Sequence, residues 1–217
     1  LYSAMIAQEF FNTDIVISPA EQNPLINEFT SYDYAAYNPS ADSYWDGDNT
    51  GPNAATFDAN IEGRNDGVSH TSYFHTALLG ERKRTKWRAE AKNTDPILGS
   101  RAPFHGRGET GGDPGELANY RDSYTLLMHG PKRQWVGNIV FGDNHTEVVD
   151  TFRPASVAYE PPNGRLEKDN IFAPFPEGDD AQPESFMAGD AFLTMVRLQG
   201  SGGSNFGEFQ EKLVTDQ

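Results

Sequence analysis

Residues 124–150 constrain the fold more than any other part of this chain. Tyr124-Thr-Leu-Leu-Met128, Trp135-Val-Gly-Asn-Ile-Val-Phe141 and Thr146-Glu-Val-Val149 are runs of β-branched or apolar residues. Asp143-Asn144 falls between the last two, where a hairpin needs residues that tolerate positive φ. The stretch predicts three short strands joined by tight turns, the centre of a small antiparallel sheet. It also carries His129, Asp143 and His145, so it is the first place to look for chemistry.

The rest of the chain is loop-rich. It has 217 residues, enough for one sizeable core, with 14 prolines and 21 glycines. Apolar residues recur in residues 1–11 at 1, 2, 5, 6, 10 and 11, which predicts a helix. No N-cap precedes it and no initiator Met opens the chain. The expectation is therefore the end of a helix within a longer or processed polypeptide. Residues 14–19 predict a short strand stopped by Pro19. Residues 27–38, with Phe29, Tyr32, Tyr34 and Tyr37, alternate like a strand with one buried face. Residues 42–67 read as a long surface loop. Residues 68–79 predict an extended segment, 81–91 a basic helix and 97–119 irregular glycine-rich chain. Apolar islands at 156–159 and 171–175 follow, then a strand at 191–198 and a flexible turn or linker at 200–207.

Charge narrows the partners. The net charge of −15 argues against nucleic acid and against an anionic membrane surface. No run approaches the roughly 20 apolar residues of a membrane span. Residues 1–66 carry 11 acids and one base, whereas residues 67–172 carry 13 acids and 14 bases. The basic excess concentrates in Glu81-Arg-Lys-Arg-Thr-Lys-Trp-Arg88. Two readings stand: contact between an acidic face and the basic segment of the next subunit, or a solvated surface paired within one chain.

Catalytic patterns are weak. There is no cysteine, which removes disulfides, thiolate metal sites and cysteine nucleophiles. Ser123, His129 and Asp143 exist without a nucleophile elbow. His70 and His75 are five apart, which suits neither a helical nor a single-face strand pair of zinc ligands. Zinc between His129, Asp143 and His145 is weighed against turn-capping by Asp143 and packing by His129. Calcium wants several loop oxygens. Asp46 and Asp48, and Asp179 and Asp180, supply them, so calcium is the one metal expected, against the reading of solvated acidic turns. Neither loop fits the helix–loop–helix pattern, whose closing Glu position falls on Phe57 when Asp46 is counted first. Asn144-His-Thr146 is the one glycosylation-type sequon.

The order of these features resembles the globular domain of type IV pilin-like and pseudopilin-like proteins of planctomycete-type bacteria. The matching residues are His129-Gly130, Asn138-Ile-Val-Phe141, Asp143-Asn144 and His145-Thr-Glu-Val148. Asp14-Ile-Val-Ile-Ser-Pro-Ala-Glu21 resembles the strand after the family's helix, with Ser18 where that strand often has Cys. Ser69 to Tyr73, Gly80 to Trp87 and Pro96-Ile-Leu-Gly99 follow the same family order. The resemblance covers roughly residues 1–150. The spacing from His129 to Asp143 is longer than usual, Asn144 stands in place of glycine, and the family's hydrophobic N-terminal helix is not in the sequence.

What the resemblance implies is an α+β domain over residues 1–217. Residues 1–12 end an N-terminal helix, 13–150 form sheet and loops, and 151–217 are a loop-rich C-terminal extension. The implied function is a non-catalytic subunit of an extracellular, cell-surface filament that associates with copies of itself. Its membrane contact would run only through an upstream helix. The interface expected is Leu1, Met5, Ile6 and Phe10 with Arg82, Lys83 and Arg84. The alternative is an anchored extracellular module that binds carbohydrate or another ligand without polymerising.

Overall fold

The protein is described here by a computed structural model covering residues 1–46, 57, 68–103, 123–130, 134–161, 164–174, 188–199 and 205–208. The fold is α+β. Helix α1 spans Tyr2–Ala7 and helix α2 Gly80–Thr85. The main sheet is built from β1 (Tyr73–Thr76), β2 (Pro96–Ser100), β3 (Gly137–Phe141), β4 (Thr146–Val149) and, after two short strands, β7 (Leu193–Thr194). Its order is β4-β3-β2-β1-β7, with every pairing antiparallel. β5 (Ala158–Tyr159) pairs with β6 (Glu167–Lys168), and β8 (Val196–Gln199) pairs with β9 (Asn205–Glu208).

The β3–β4 hairpin forms as its residues dictate. Gly137, Ile139 and Phe141 are buried while Asn138 is exposed, the period-two pattern of a strand covered on one face. Asn144 takes φ 69° and donates its N–H to the Phe141 carbonyl at 2.8 Å. Asp143 Oδ1 accepts from the His145 N–H at 3.1 Å, so the turn is held by its own side chain. Asparagine thus performs the left-handed role that glycine takes in many such turns.

Strand β2 lies at the centre of the sheet although the sequence predicts irregular chain from residue 97. Gly99 explains the difference. It pairs with Phe74 on one side and Ile139 on the other. A Cβ at Gly99 would stand 2.4 Å from Ile139 Cδ1 and 3.3 Å from Leu193 Cδ1. The missing side chain makes room for two buried neighbours, a use of glycine that dilutes a strand's apolar signature.

Five further expectations are corrected. Residues 124–128 are not a strand: Tyr124–Leu127 is a 3-10 turn capped by the Ser123 hydroxyl, which accepts from the Thr125 N–H at 3.3 Å. A short continuous apolar run carries no period that separates the two states. Residues 14–19 form turns, with Ile17 N–H donating to the Asp14 carbonyl. Residues 27–38 hold a 3-10 turn at Tyr34–Ala36, where Asp33 Oδ1 accepts from the Ala35 N–H at 3.0 Å. That local bond competes with strand pairing. The expected strand at 191–198 divides between β7 and β8, and residues 205–207 of the expected linker belong to β9.

One core cluster draws on residues from Tyr2 to Met195. Its centre is Trp135, Phe152 and Phe172, whose rings meet edge-to-face at 5.6, 5.0 and 5.3 Å. The Trp135 indole N–H donates to the Arg101 carbonyl at 3.0 Å. Backbone bonds from Ile171 N–H to Phe152 and from Leu193 N–H to Ile171 tie the C-terminal segment to β7.

Candidate functional site

Helix α1 is seated by one face. Tyr2, Ile6 and Ala7 are buried. The Tyr2 hydroxyl donates to the Tyr73 carbonyl at 3.2 Å, and its ring meets His75 edge-on at 5.6 Å. Tyr2 thus joins α1 to strand β1. The Trp87 ring also meets His75 edge-on, at 6.2 Å. Desolvation there holds the His75 pKa down at about 4, although its Nδ1 donates to the Thr76 carbonyl at 2.8 Å.

The expected interface residues separate into two groups. Ile6 lies wholly inside, so it has no surface to offer a neighbour. Leu1 is 45% exposed, Phe10 is 70% exposed and Met5 is half-buried. In α2, Arg82 is fully buried. Its guanidinium is paired with the Asp190 carboxylate, its Nε donates to the Asp190 carbonyl at 3.0 Å, and it lies 5.2 Å from the Phe192 ring centre. Burial pulls the Arg82 pKa down and Asp190 opposes that pull. Lys83 and Arg84 face solvent. Arg84 pairs with Glu81 one turn back, and Lys86 pairs with Asp95 at 2.7 Å. Pairing within the chain thus takes up Arg82, Arg84 and Lys86 of the basic segment.

The acidic loops are reached only in part. Asp46 is buried: Oδ2 accepts from the Phe57 N–H at 2.8 Å and Oδ1 from the Ser3 hydroxyl at 3.3 Å. Its carboxylate fastens the loop to α1. Asp48, Asp179 and Asp180 lie outside the described residues. Among the described residues, no group of three or more His, Asp or Glu side chains is arranged to hold a metal ion.

The hairpin tip brings His145 between two carboxylates. Nδ1 is 2.5 Å from Asp143 Oδ1, and Nε2 is 3.4 Å from Glu147 Oε1. The ring stacks on Phe141 at 4.5 Å between centroids, and the Ser156 hydroxyl donates to Glu147 Oε2 at 2.8 Å. Asp143 raises the His145 pKa, and the same bond lowers that of Asp143. Ser156 reaches Glu147 rather than the imidazole, so the group does not form a serine–histidine nucleophile. His70 is likewise absorbed by packing, 4.7 Å from the Phe29 ring.

Sequence reasoning missed two buried ion pairs, Arg82–Asp190 and Arg101–Glu21. Their partners are 108 and 80 residues apart, and no local spacing announces them. Arg101 donates Nε to Glu21 Oε2 at 3.1 Å and its terminal nitrogen to Oε1 at 2.7 Å. Burial pushes the Glu21 pKa up, but the Arg101 guanidinium outweighs it and the net shift is downward.

No protein-family model matches the chain, and comparisons with curated proteins and with solved structures return no match either. Among the described residues no helix is long and apolar enough to cross a membrane.

Proposed function

We propose that this chain is the globular part of a pilin-like or pseudopilin-like filament subunit, displayed at the cell envelope outside the cytoplasm and associating with copies of itself. The observation that carries this reading is the seating of α1. Tyr2 ties the helix to β1 and Ile6 and Ala7 are buried, while Leu1 and Phe10, which flank the helix, stand out in solvent. Apolar side chains at both ends of a docked helix are surface that a neighbouring copy can cover. Lys83 adds an exposed basic side chain on α2, and the acid-rich first 66 residues of a neighbour supply the complementary charge. The role is mechanical: it requires no cofactor and no turnover.

Immunogold electron microscopy on cells that make the protein tests the reading. Regular labelling along surface filaments is expected. Filaments free of label, with gold confined to the cell body, would overturn it.

A further inference from the structure

We propose that the lobe formed by residues 32–46 binds a neutral polysaccharide through an aromatic platform of Tyr34, Tyr37, Tyr44 and Trp45. Tyr34 is 40%, Tyr44 39% and Trp45 50% exposed, and Tyr37 is half-buried. The three exposed rings fall within one short lobe, which concentrates solvent-facing ring surface where a chance distribution would scatter it.

The lobe is ordered by its own bonds. Asn38 and Ser43 form an antiparallel bridge, with N–H to carbonyl distances of 2.8 and 3.0 Å in the two directions. Tyr37 precedes and Tyr44 follows the bridged pair in the chain. The tip is closed by a 3-10 turn at Pro39–Ala41 and by Asp42 at φ 60°. The Ser43 hydroxyl donates to the Ala36 carbonyl at 2.9 Å. Tyr32, whose ring is 4.8 Å from Tyr34, is bonded to Ser3 in α1. A platform held this way loses little freedom when a ligand settles on it.

The surroundings choose the ligand. Asp33, Asn38, Ser40 and Asp42 in the same segment are exposed. An apolar protein partner would strip water from these groups without replacing its hydrogen bonds, which is costly. A sugar offers both things the lobe lacks: a C–H face for the rings and hydroxyl donors for the acids and amide. Residues 1–66 carry 11 acids against one base, so anionic glycans are repelled and the ligand is neutral.

Affinity electrophoresis of the full chain in native gels tests this, using hydroxyethylcellulose, xylan, galactomannan and polygalacturonate, with pull-down on chitin. Retardation or capture by at least one neutral polymer is expected, with none by polygalacturonate. Trp45→Ala and Tyr44→Ala are each expected to weaken it about five- to tenfold, as for the loss of a stacked ring. Trp45→Phe retains most of it, and Val148→Ala, at an exposed site on β4, leaves it unchanged. Melting curves of the variants separate loss of binding from loss of fold. No interaction with any neutral polymer, or an interaction indifferent to both alanine variants, would overturn the proposal. So would equal retardation by polygalacturonate.

Discussion

The β3–β4 hairpin and the first 46 residues contribute to the same core, yet they are held in place by different means. The hairpin is fixed by four register pairs and a turn that closes on its own side chain. The N-terminal region contains one helix of six residues and two single 3-10 turns. Outside the self-bonded lobe at residues 32–46, its order comes from far away: Glu21 on Arg101, Tyr2 on Tyr73, and Ile26 bridged to Ser69. Local sequence therefore suffices for the first region, whereas most of the second depends on contacts with residues distant in the chain.

The largest effect should come from removing what both regions share. Trp135→Ala deletes the ring that packs on Phe152 and Phe172 and leaves the Arg101 carbonyl without its donor. A loss of about 3–5 kcal/mol is expected in urea unfolding, with both regions melting together. Glu21→Gln comes next. It removes a counter-charge from the buried Arg101 guanidinium, a change that costs about 3–5 kcal/mol when the partner stays buried. The comparison predicts that amide exchange accelerates first in residues 1–46 while β3 and β4 stay protected. Uniform acceleration would break the distinction between the regions.

Acid should weaken the seat of α1. The folded protein holds His75 near pKa 4, below its ordinary 6.5, so between those values the unfolded chain binds the proton and the folded chain does not. The stability from neutral His75 is complete above pH 6.5 and falls as pH drops towards 4, by up to about 3 kcal/mol at about 1.4 kcal/mol per unit. Urea midpoints at pH 7 and 4.5 measure it, and His75→Phe should flatten the slope. His145 has the opposite sign. Its raised pKa gives a small stabilisation below the ordinary value that disappears as pH rises through the folded one. The smallest effect is Asn144→Gly. Glycine enters the left-handed region without strain, so the hairpin should gain a few tenths of a kcal/mol, about the limit of thermal melting.

The same contrast explains what was legible beforehand. Alternation and turn chemistry placed β3, β4 and the Asp143-Asn144 turn, because every determinant lies within a few residues. β2 was hidden because Gly99 is chosen by Ile139 and Leu193 rather than by its own neighbours. The turns at 14–19 and 34–36 were hidden because single side chains such as Asp33 divert the backbone from pairing. At the candidate interface, periodicity found α1, but it could not show that Ile6 is wholly buried while Leu1 and Phe10 are exposed. Arg82 reads as one more surface base until Asp190, far along the chain, is brought to it.

The filament reading rests on the exposed apolar side chains that flank α1, Leu1 and Phe10, and the full-length protein with and without Phe10→Glu tests it most directly. Phe10 is 70% exposed, so the substitution should leave the melting temperature nearly unchanged. Negative-stain electron microscopy should then show filaments for the wild type and dispersed particles for the variant. Filaments of undiminished length in the variant, or dispersed particles alone in the wild type, would contradict the account.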